Sequence, residues 1–275
     1  MKRCDLHTHT LHSDGTDTPE ALVAVAQRKE ISCVAITDHD SVEGVEAAMA
    51  EGLRRGVEVI SGVELTAELD KTEVHILGYM VDHRDPEFKA KLVELRANRV
   101  ERIYAMVEKL KDQGVTLPPE SVFKLSAGGT VGRLHMARAM VAEGIVKTVY
   151  EAFNKFIGDR CPSYVSHFRL SPEEAIALLR RFGGIPVLAH PYSLKRDEII
   201  PALAEAGLRG IEVYYPEHTQ SMINFYNREA LRLGLLVTGG SDYHGAAKPN
   251  TALGEIDIPY ELAEGLREEK QKSTR

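Results

Sequence analysis

The chain has few cysteines and no long apolar segment. Its three cysteines, Cys4, Cys33 and Cys161, are odd in number and lack the spacing of a metal site. They are therefore expected to be reduced core residues in the cytoplasm. No apolar run reaches the roughly 18 residues of a membrane-spanning helix, and no signal-like apolar segment follows the basic start. These absences predict a cytoplasmic protein that does not enter a membrane.

Net charge and motif content exclude two further classes of protein. The 275 residues carry a net charge of −7, which argues against a general nucleic-acid-binding surface and against a stable nucleic-acid complex. A phosphorylated substrate is still compatible with this value, because net charge does not describe the local charge of a site. The Gly-x-x-x-x-Gly-Lys-Ser/Thr pattern of a nucleoside triphosphate P-loop is absent as well.

Short apolar runs alternate with helical segments along the chain. Several helices begin at recognisable N-terminal signals, such as Thr18 followed by Pro19 and the capping box that begins at Ser171. Seven strands joined by helices predict an α/β fold, a closed or nearly closed β/α barrel. The predicted strands, all taken as parallel, span residues 4–6, 33–36, 57–60, 74–77, 185–189, 210–213 and 235–238.

One stretch, residues 86–167, interrupts this alternation. It is helical without a convincing parallel strand, and Leu92 and Leu95 recur at helical spacing in its first helix. We expect residues 1–85 and 168–275 to form the barrel. Residues 86–167 are expected to form a helical insertion that covers the active site at the barrel mouth.

Histidines and carboxylates recur at the ends of the predicted strands. His7 and His9 follow the first strand two positions apart, so both side chains leave it in the same direction. Similar residues follow or lie within later strands, on the face where β/α barrels carry their active sites. The candidate metal ligands are His7, His9, Asp14, His39, Glu64, His75, His190, Asp242 and His244.

This ligand set is larger than one ion can use, because a catalytic ion takes about three or four protein ligands. It predicts about two to three divalent cations per chain, with at least one bridging carboxylate. Imidazole and carboxylate without thiolate favour Mn²⁺, with Zn²⁺ or Fe²⁺ as alternatives, over Ca²⁺ or Mg²⁺ alone. His190 and Asp40 are the expected catalytic residues, and Asp40 is placed to orient the neighbouring His39 or to accept a proton.

The motifs resemble those of the polymerase and histidinol phosphatase (PHP) superfamily, in the same order over nearly the whole chain. They are His7-x-His9, Ser13-Asp14-Gly15, Thr37-Asp38-His39-Asp40, Gly62-x-Glu64, His75, Ala189-His190-Pro191 and Gly240-Ser241-Asp242-x-His244. The resemblance implies a distorted seven-stranded β/α barrel with three metal sites. It implies one ion held by His7, His9, Glu64 and Asp242, a second by Glu64, His75 and His190, and a third by Asp14, His39 and His244.

The insertion resembles that of the stand-alone nucleotide phosphatases of this superfamily, around Arg99 and in the segment Arg133-x-His135. That subgroup contains 3′,5′-nucleoside bisphosphate phosphatases and 5′-to-3′ exoribonucleases. Arg99, Arg133 and His135 are accordingly expected to contact the substrate, because arginines and helix N-termini favour phosphate. His218 follows a predicted strand end, where a substrate contact and a structural role are equally compatible with the sequence.

The resemblance implies a metal-dependent phosphoesterase that hydrolyses a 3′,5′-nucleoside bisphosphate or a nucleoside monophosphate by a metal-bridged hydroxide. The alternatives are a 5′-to-3′ exonuclease on short RNA, a histidinol phosphate phosphatase, and a non-catalytic module like those attached to polymerases. The complete ligand set and the lack of a polymerase domain favour a free-standing enzyme. The arginines of the insertion favour a nucleotide over histidinol phosphate, because a second phosphate needs additional cationic partners.

Overall fold

Seven strands form one sheet in which the order in space follows the order in sequence. The computed structural model describes residues 2–166 and 170–273. Between the two edge strands the backbone N–H of Leu6 donates to the carbonyl of Gly239 at 3.1 Å. The sheet is therefore nearly closed, and the predicted seven-stranded α/β barrel is confirmed. The strands are β1 Cys4–Asp5, β2 Cys33–Ile36, β3 Glu58–Leu69, β4 Thr72–Tyr79, β5 Ile185–Leu188, β6 Gly210–Tyr214 and β7 Leu236–Gly239.

Strand β4 runs antiparallel to both of its neighbours, β3 and β5. The prediction that all seven strands are parallel is wrong at this strand. The reason lies in the connection, since only Asp70 and Lys71 join β3 to β4, with φ angles of 51° and 64°. A two-residue turn of this kind reverses the chain, whereas a parallel connection needs a crossover of about a dozen residues or more.

Strand β3 is longer than predicted, and this changes the position of Glu64. The predicted strand ends at residue 60, but the pairing with β4 continues to Leu69. Glu64 therefore lies in the middle of β3 rather than just after its end. A parallel bridge between His39 and Glu64 then brings the segment after β2 alongside it.

Ten α-helices lie within the described residues, and two of them begin at the predicted signals. Thr18 accepts a hydrogen bond from the backbone N–H of Ala21, and Ser171 forms a capping box with Glu174. No helix of the described chain combines the length and apolarity needed to cross a membrane. The helices are α1 Pro19–Arg28, α2 Val45–Arg55, α3 Pro86–Asp112, α4 Pro119–Ser126, α5 Arg133–Ala142, α6 Val149–Ala152, α7 Pro172–Arg181, α8 Ile200–Glu205, α9 Gln220–Leu233 and α10 Glu261–Ser273.

Helix α3 connects two separate apolar cores. Its first turns contribute Phe88, Leu92 and Leu95 to the core around the barrel. Ile103, two turns further on, belongs to a second core built with α4, α5 and α6. The first turns of the predicted insertion thus pack with the barrel, and the predicted boundary at residues 167 and 168 lies outside the described residues.

Candidate metal centre

The structure brings all nine predicted metal ligands into one cluster at the mouth of the barrel. Eight of them form three groups in which the ligand atoms lie within 4.8 Å of one another. The ninth, His190, has its Nε2 atom 3.2 Å from Oε1 of Glu64. The groups are His9, Asp14, His39 and His244; His7, His9 and Asp242; and His39, Glu64 and His75.

The backbone at this cluster is held in unusual conformations. Asp40, His190 and Asp242 have φ angles of 46°, 27° and 54°, a left-handed region that non-glycine residues rarely adopt. Each such residue costs on the order of 1–3 kcal/mol, and the cost is typical of functional sites. Gly240 is required because a Cβ atom there would overlap His7. The fold therefore enforces turns that aim these side chains inward.

Glu64 lies at the centre of the cluster and faces imidazoles with both of its oxygens. Its Oε1 atom lies 2.8 Å from Nδ1 of His75 and 3.2 Å from Nε2 of His190. The nitrogens near Oε2 are Nδ1 of His39 at 3.1 Å, Nε2 of His9 at 3.2 Å and Nε2 of His7 at 3.4 Å. A carboxylate in this position can bridge two cations, one on each oxygen.

Asp14 is the second carboxylate around which imidazoles gather. Its Oδ1 lies 3.1 Å from Nε2 of His244 and 3.7 Å from Nδ1 of His9, and its Oδ2 lies 3.8 Å from Nε2 of His39. His9 and His39 therefore face Asp14 with one ring nitrogen and Glu64 with the other. The family resemblance assigns each of these histidines to a single ion, and in the structure each of them lies near both carboxylates.

The cluster fits divalent cations. Several of its ligand atoms are buried close to carboxylate oxygens without a hydrogen bond, a state that is costly unless another partner is present. Burial raises the pKa of Glu64, yet the surrounding imidazoles hold this pKa well below its ordinary value, so the carboxylate is charged. No thiolate takes part in the three groups, which suits Mn²⁺, Zn²⁺ or Fe²⁺. The buried atoms without a hydrogen bond are His7 Nε2, His9 Nε2, Asp14 Oδ1, His39 Nδ1 and His75 Nδ1.

Glu212 in β6 orients two ligands, and the sequence analysis missed it. Its Oε1 lies 2.9 Å from Nδ1 of His7, and its Oε2 accepts a hydrogen bond from the backbone N–H of His190 at 2.8 Å. By engaging Nδ1, Glu212 leaves Nε2 of His7 to face the centre. The sequence signal is a single carboxylate inside an apolar strand, where an unpaired charge would be costly.

Glu73 in β4 is a second buried carboxylate that the sequence analysis missed. Its Oε1 lies 3.0 Å from Nε2 of His75, so Nδ1 of that ring faces Glu64. Its Oε2 pairs with Arg102 at 3.0 Å and Arg133 at 2.8 Å. Residues two apart on a strand share a face, and the spacing Glu73-x-His75 is the signal that marks this pair.

The two carboxylate oxygens of Asp242 have different partners. Oδ1 lies 3.3 Å from Nε2 of His9 and 3.5 Å from Nε2 of His7. Oδ2 accepts hydrogen bonds from the hydroxyl of Tyr215 at 2.9 Å and from Nζ of Lys248 at 2.6 Å. Lys248 therefore brings a positive charge to the edge of the cluster. Nothing in the spacing of the motifs marks this lysine.

Asp40, one of the two expected catalytic residues, contacts an arginine rather than His39. Its Oδ2 accepts a hydrogen bond from Nε of Arg99 at 2.6 Å, and its Oδ1 accepts one from the backbone N–H of Thr66 at 3.2 Å. The expectation that Asp40 orients His39 is wrong, because the ring nitrogens of His39 face Asp14 and Glu64. Arg99, only 4% exposed, is instead held beside the cluster.

Arg133 and His135 begin helix α5 and are both engaged by the protein. Besides Glu73, Arg133 donates to the carboxylate of Asp159 and to the carbonyl of Ile157. Nδ1 of His135 accepts a hydrogen bond from the backbone N–H of Gly132 at 3.2 Å. Burial lowers the pKa of His135 to about 4, so the ring is neutral at pH 7.

His218 lies outside the ligand cluster. Its Nδ1 is 2.8 Å from the carbonyl oxygen of Val213, and its ring packs against Tyr192, Tyr215 and Tyr226. The structure therefore brings Arg99 to the cluster, whereas His218 packs among tyrosines and belongs to none of the three ligand groups.

Comparison with known proteins gives a consistent set of relatives. The sequence profile of the PHP domain matches residues 5–160. The 3′,5′-nucleoside bisphosphate phosphatase of Chromobacterium violaceum is 32% identical over 266 residues, covering 94% of this chain and 93% of the relative. The phosphoribosyl 1,2-cyclic phosphate 1,2-diphosphodiesterase of Eggerthella lenta is 34% identical over 254 residues, covering 88% and 94%.

Two further matches concern an RNA-degrading enzyme and a solved structure. The 5′-3′ exoribonuclease Rnm of Escherichia coli is 33% identical over 250 residues, covering 87% of this chain and 84% of the relative. A crystal structure from Bifidobacterium adolescentis, of a protein assigned as a metal-dependent phosphoesterase, aligns with a TM-score of 0.87 at 32% identity. The alignment covers 96% of this chain and 95% of that chain.

Proposed function

The chain belongs to the PHP domain family and is a metal-dependent phosphoesterase, and from this premise we propose that its substrate is a small nucleotide. The bond that it hydrolyses is a phosphoester of a 3′,5′-nucleoside bisphosphate or of a nucleoside monophosphate. The observation that carries this proposal is the position of Arg99, a buried guanidinium from α3 held by Asp40 beside the ligand cluster.

The cluster is proposed to hold about two to three divalent cations, with Mn²⁺ favoured. When bound, such ions would activate a water molecule and neutralise charge on the scissile phosphate. Glu64 is the proposed bridge, because its two oxygens face different sets of imidazoles. In this assignment His75 and His190 lie on the side of Oε1, His7, His9 and Asp242 on the side of Oε2, and Asp14, His39 and His244 form the remaining site.

The surrounding residues fix the ligands and bind the phosphate. Glu212 restrains both His7 and the backbone at His190, so these ligands need little reorganisation. Asp40 acts on the phosphate indirectly, by aligning Arg99. Arg99 donates hydrogen bonds to phosphate oxygens. These hydrogen bonds are charge-assisted and therefore stronger than hydrogen bonds between neutral groups.

Arg133 is proposed to bind a second phosphate. A guanidinium has five N–H donors, so Arg133 can pair with Glu73 and Asp159 and still donate to a ligand. His135 supports this contact by capping the first turn of α5 through Gly132. A substrate with two phosphates would therefore use both arginines.

A 5′-to-3′ exonuclease acting on short RNA is the second candidate, favoured by the 33% identity to the Escherichia coli exoribonuclease. The two activities share the same cluster and differ in whether the hydrolysed phosphate is a monoester, which releases inorganic phosphate, or a diester that joins two nucleotides. For either activity we propose a cytoplasmic location, because all three cysteines are free.

A substrate panel tests this proposal. Mn²⁺-loaded protein is incubated with 3′-phosphoadenosine 5′-phosphate, AMP, a 5′-phosphorylated dinucleotide and histidinol phosphate, and the release of phosphate, nucleosides and nucleotides is measured. The Glu64→Gln variant controls for contaminating phosphatases. We expect kcat/KM for the bisphosphate to exceed that for histidinol phosphate at least about tenfold, because histidinol phosphate lacks the second phosphate and a lost arginine–phosphate contact costs on the order of 1.5–3 kcal/mol. Preference for histidinol phosphate would overturn the nucleotide assignment.

A further inference from the structure

A recess of about 370 Å³ lies between the turn that follows β5 and helix α9. Its volume falls in the range of small-molecule sites, about 300–1,000 Å³. The residues of this aromatic recess include Tyr192, Phe225, Tyr226, Met222, Lys195 and Asp197. Three aromatic rings and a thioether form its walls, and a lysine and a carboxylate provide its polar groups.

The aromatic recess is tied to the metal centre through the chain itself. Tyr192 is two residues after the ligand His190, in the tight turn Pro191–Leu194. The residues at both ends of this turn, His190 and Lys195, have positive φ angles of 27° and 54°. The backbone that aims His190 at Glu64 therefore also fixes where the ring of Tyr192 stands.

A continuous series of rings connects the two sites. The His190 ring lies 5.4 Å from that of Tyr215, which lies 6.4 Å from that of Tyr192, centroid to centroid. His218 packs behind them at 5.5 Å from Tyr192 and 5.1 Å from Tyr226. Tyr215 thus stands between the candidate ligand His190 and the wall residue Tyr192.

The side chains of the aromatic recess favour a planar heterocycle. Phe225 and Tyr192 are half-buried, so part of each ring is available to a ligand. The hydroxyl of Tyr226 donates a hydrogen bond to Asp197 at 2.9 Å, which fixes the position of the ring. Every nucleobase has two π-faces that stack on such rings, and a lysine or carboxylate nearby can bind the polar edge of the base.

We propose that the aromatic recess binds the nucleobase of the substrate while the scissile phosphate lies at the ligand cluster. This inference rests on the proposed function, because it requires a substrate that carries both a phosphate and a base. It assigns base stacking to Phe225 and Tyr192. It also gives His218 a role, because this histidine packs against Tyr192 and Tyr226 in the wall of the aromatic recess.

The test compares AMP with ribose 5-phosphate, which has the same phosphoester and sugar but no base. Phe225→Leu keeps an apolar side chain against the core and removes the π-face, and Phe225→Tyr restores the ring. Leu231→Ala, at an 84% exposed position of the same helix, is the matched control. The quantity measured is the ratio of kcat/KM for AMP to kcat/KM for ribose 5-phosphate, with Mn²⁺-loaded protein.

We expect Phe225→Leu to lower this ratio roughly 5- to 100-fold, the effect of losing one base–aromatic stack. Phe225→Tyr and Leu231→Ala should retain the wild-type ratio. An unchanged ratio in Phe225→Leu would overturn the inference while leaving the nucleotide assignment intact. If wild-type protein hydrolyses neither compound, the ratio cannot be measured, and the proposed function fails as well only if 3′-phosphoadenosine 5′-phosphate is not hydrolysed either. Adenosine binding, measured by saturation-transfer NMR, then decides the inference, which holds only if Phe225→Leu abolishes the adenine signals.

Discussion

Glu73 and His75 lie on the same face of β4, with Oε1 of Glu73 3.0 Å from Nε2 of His75. The other oxygen of Glu73 pairs with Arg102 of α3 and Arg133 of α5. One buried carboxylate thus joins a candidate metal ligand to two helices of the predicted insertion. A change in the position of either helix should therefore change the orientation of the His75 ring.

Replacing Glu73 by glutamine should weaken metal binding. The amide has a single acceptor oxygen, so it cannot accept from His75 on one side and from both arginines on the other. The ring of His75 therefore loses its fixed orientation, an effect of about 10- to 100-fold in metal affinity. Isothermal titration of metal-depleted protein with Mn²⁺ measures it. Glu58→Gln is the control, because Glu58 pairs with Arg267 and Tyr260 at the other end of β3. Equal affinities in the two variants would contradict the dependence of His75 on Glu73.

Replacing Arg99 by alanine should destabilise the fold. The side chains of Arg99 and Asp40 are 5% and 2% exposed, so the substitution leaves a buried carboxylate without its cation. Such a change costs about 3–5 kcal/mol, measured as the free energy of unfolding in urea. Arg84→Ala breaks an exposed pair with Glu46 and should change stability little. Similar losses in both variants would show that Asp40 does not depend on Arg99.

Replacing Arg133 by alanine should act mainly on substrates with two phosphates. A charge-assisted contact made equally in the ground and transition states changes KM and leaves kcat nearly constant. We expect KM for 3′-phosphoadenosine 5′-phosphate to rise about 10- to 100-fold, with a smaller change for AMP. Metal content is measured in parallel, because Arg133 also holds Glu73. Equal changes in KM for the two nucleotides would show that Arg133 does not bind the second phosphate.

Replacing residues 103–164 by a short glycine linker should leave a barrel that still binds metal. The second apolar core lies within this interval, and all nine candidate ligands lie outside it. Nε of Arg102 donates to the carbonyl of Val165 at 2.9 Å, so the two ends to be joined are close. Circular dichroism and metal analysis establish folding. The shortened protein should hydrolyse an aryl phosphate but lose its preference for the bisphosphate, and full retention of that preference would contradict the proposed role of the insertion.

The parts of this molecule that depend on local sequence were predictable. The common direction of His7 and His9 after β1 depends on the two-residue repeat of a strand. The capping box at Ser171 depends on residues within one helical turn. The ligand cluster was predictable for a related reason, since strand ends of a barrel converge on one face.

Contacts between distant segments were not predictable in the same way. Glu212 is 205 positions from His7 in sequence, and only the closure of the barrel brings the two side chains together. The antiparallel direction of β4 depends on the turn at Asp70 and Lys71, which both have positive φ angles. Glycine and asparagine are the usual sequence signals for such a turn, and neither is present here. Lys248 contacts Asp242 from an irregular loop. Such a loop has no periodic sequence pattern from which the position of the lysine could be predicted.

The metal content of the purified protein tests the central claim most directly. Protein dialysed against Mn²⁺ without chelator is analysed by plasma mass spectrometry, alongside Glu64→Ala and Asp14→Ala. The geometry predicts about two to three ions per chain in the wild type, with a larger loss in Glu64→Ala, because both oxygens of Glu64 face imidazoles. One ion per chain or less in the wild type, or a larger loss in Asp14→Ala, would contradict a centre bridged by Glu64.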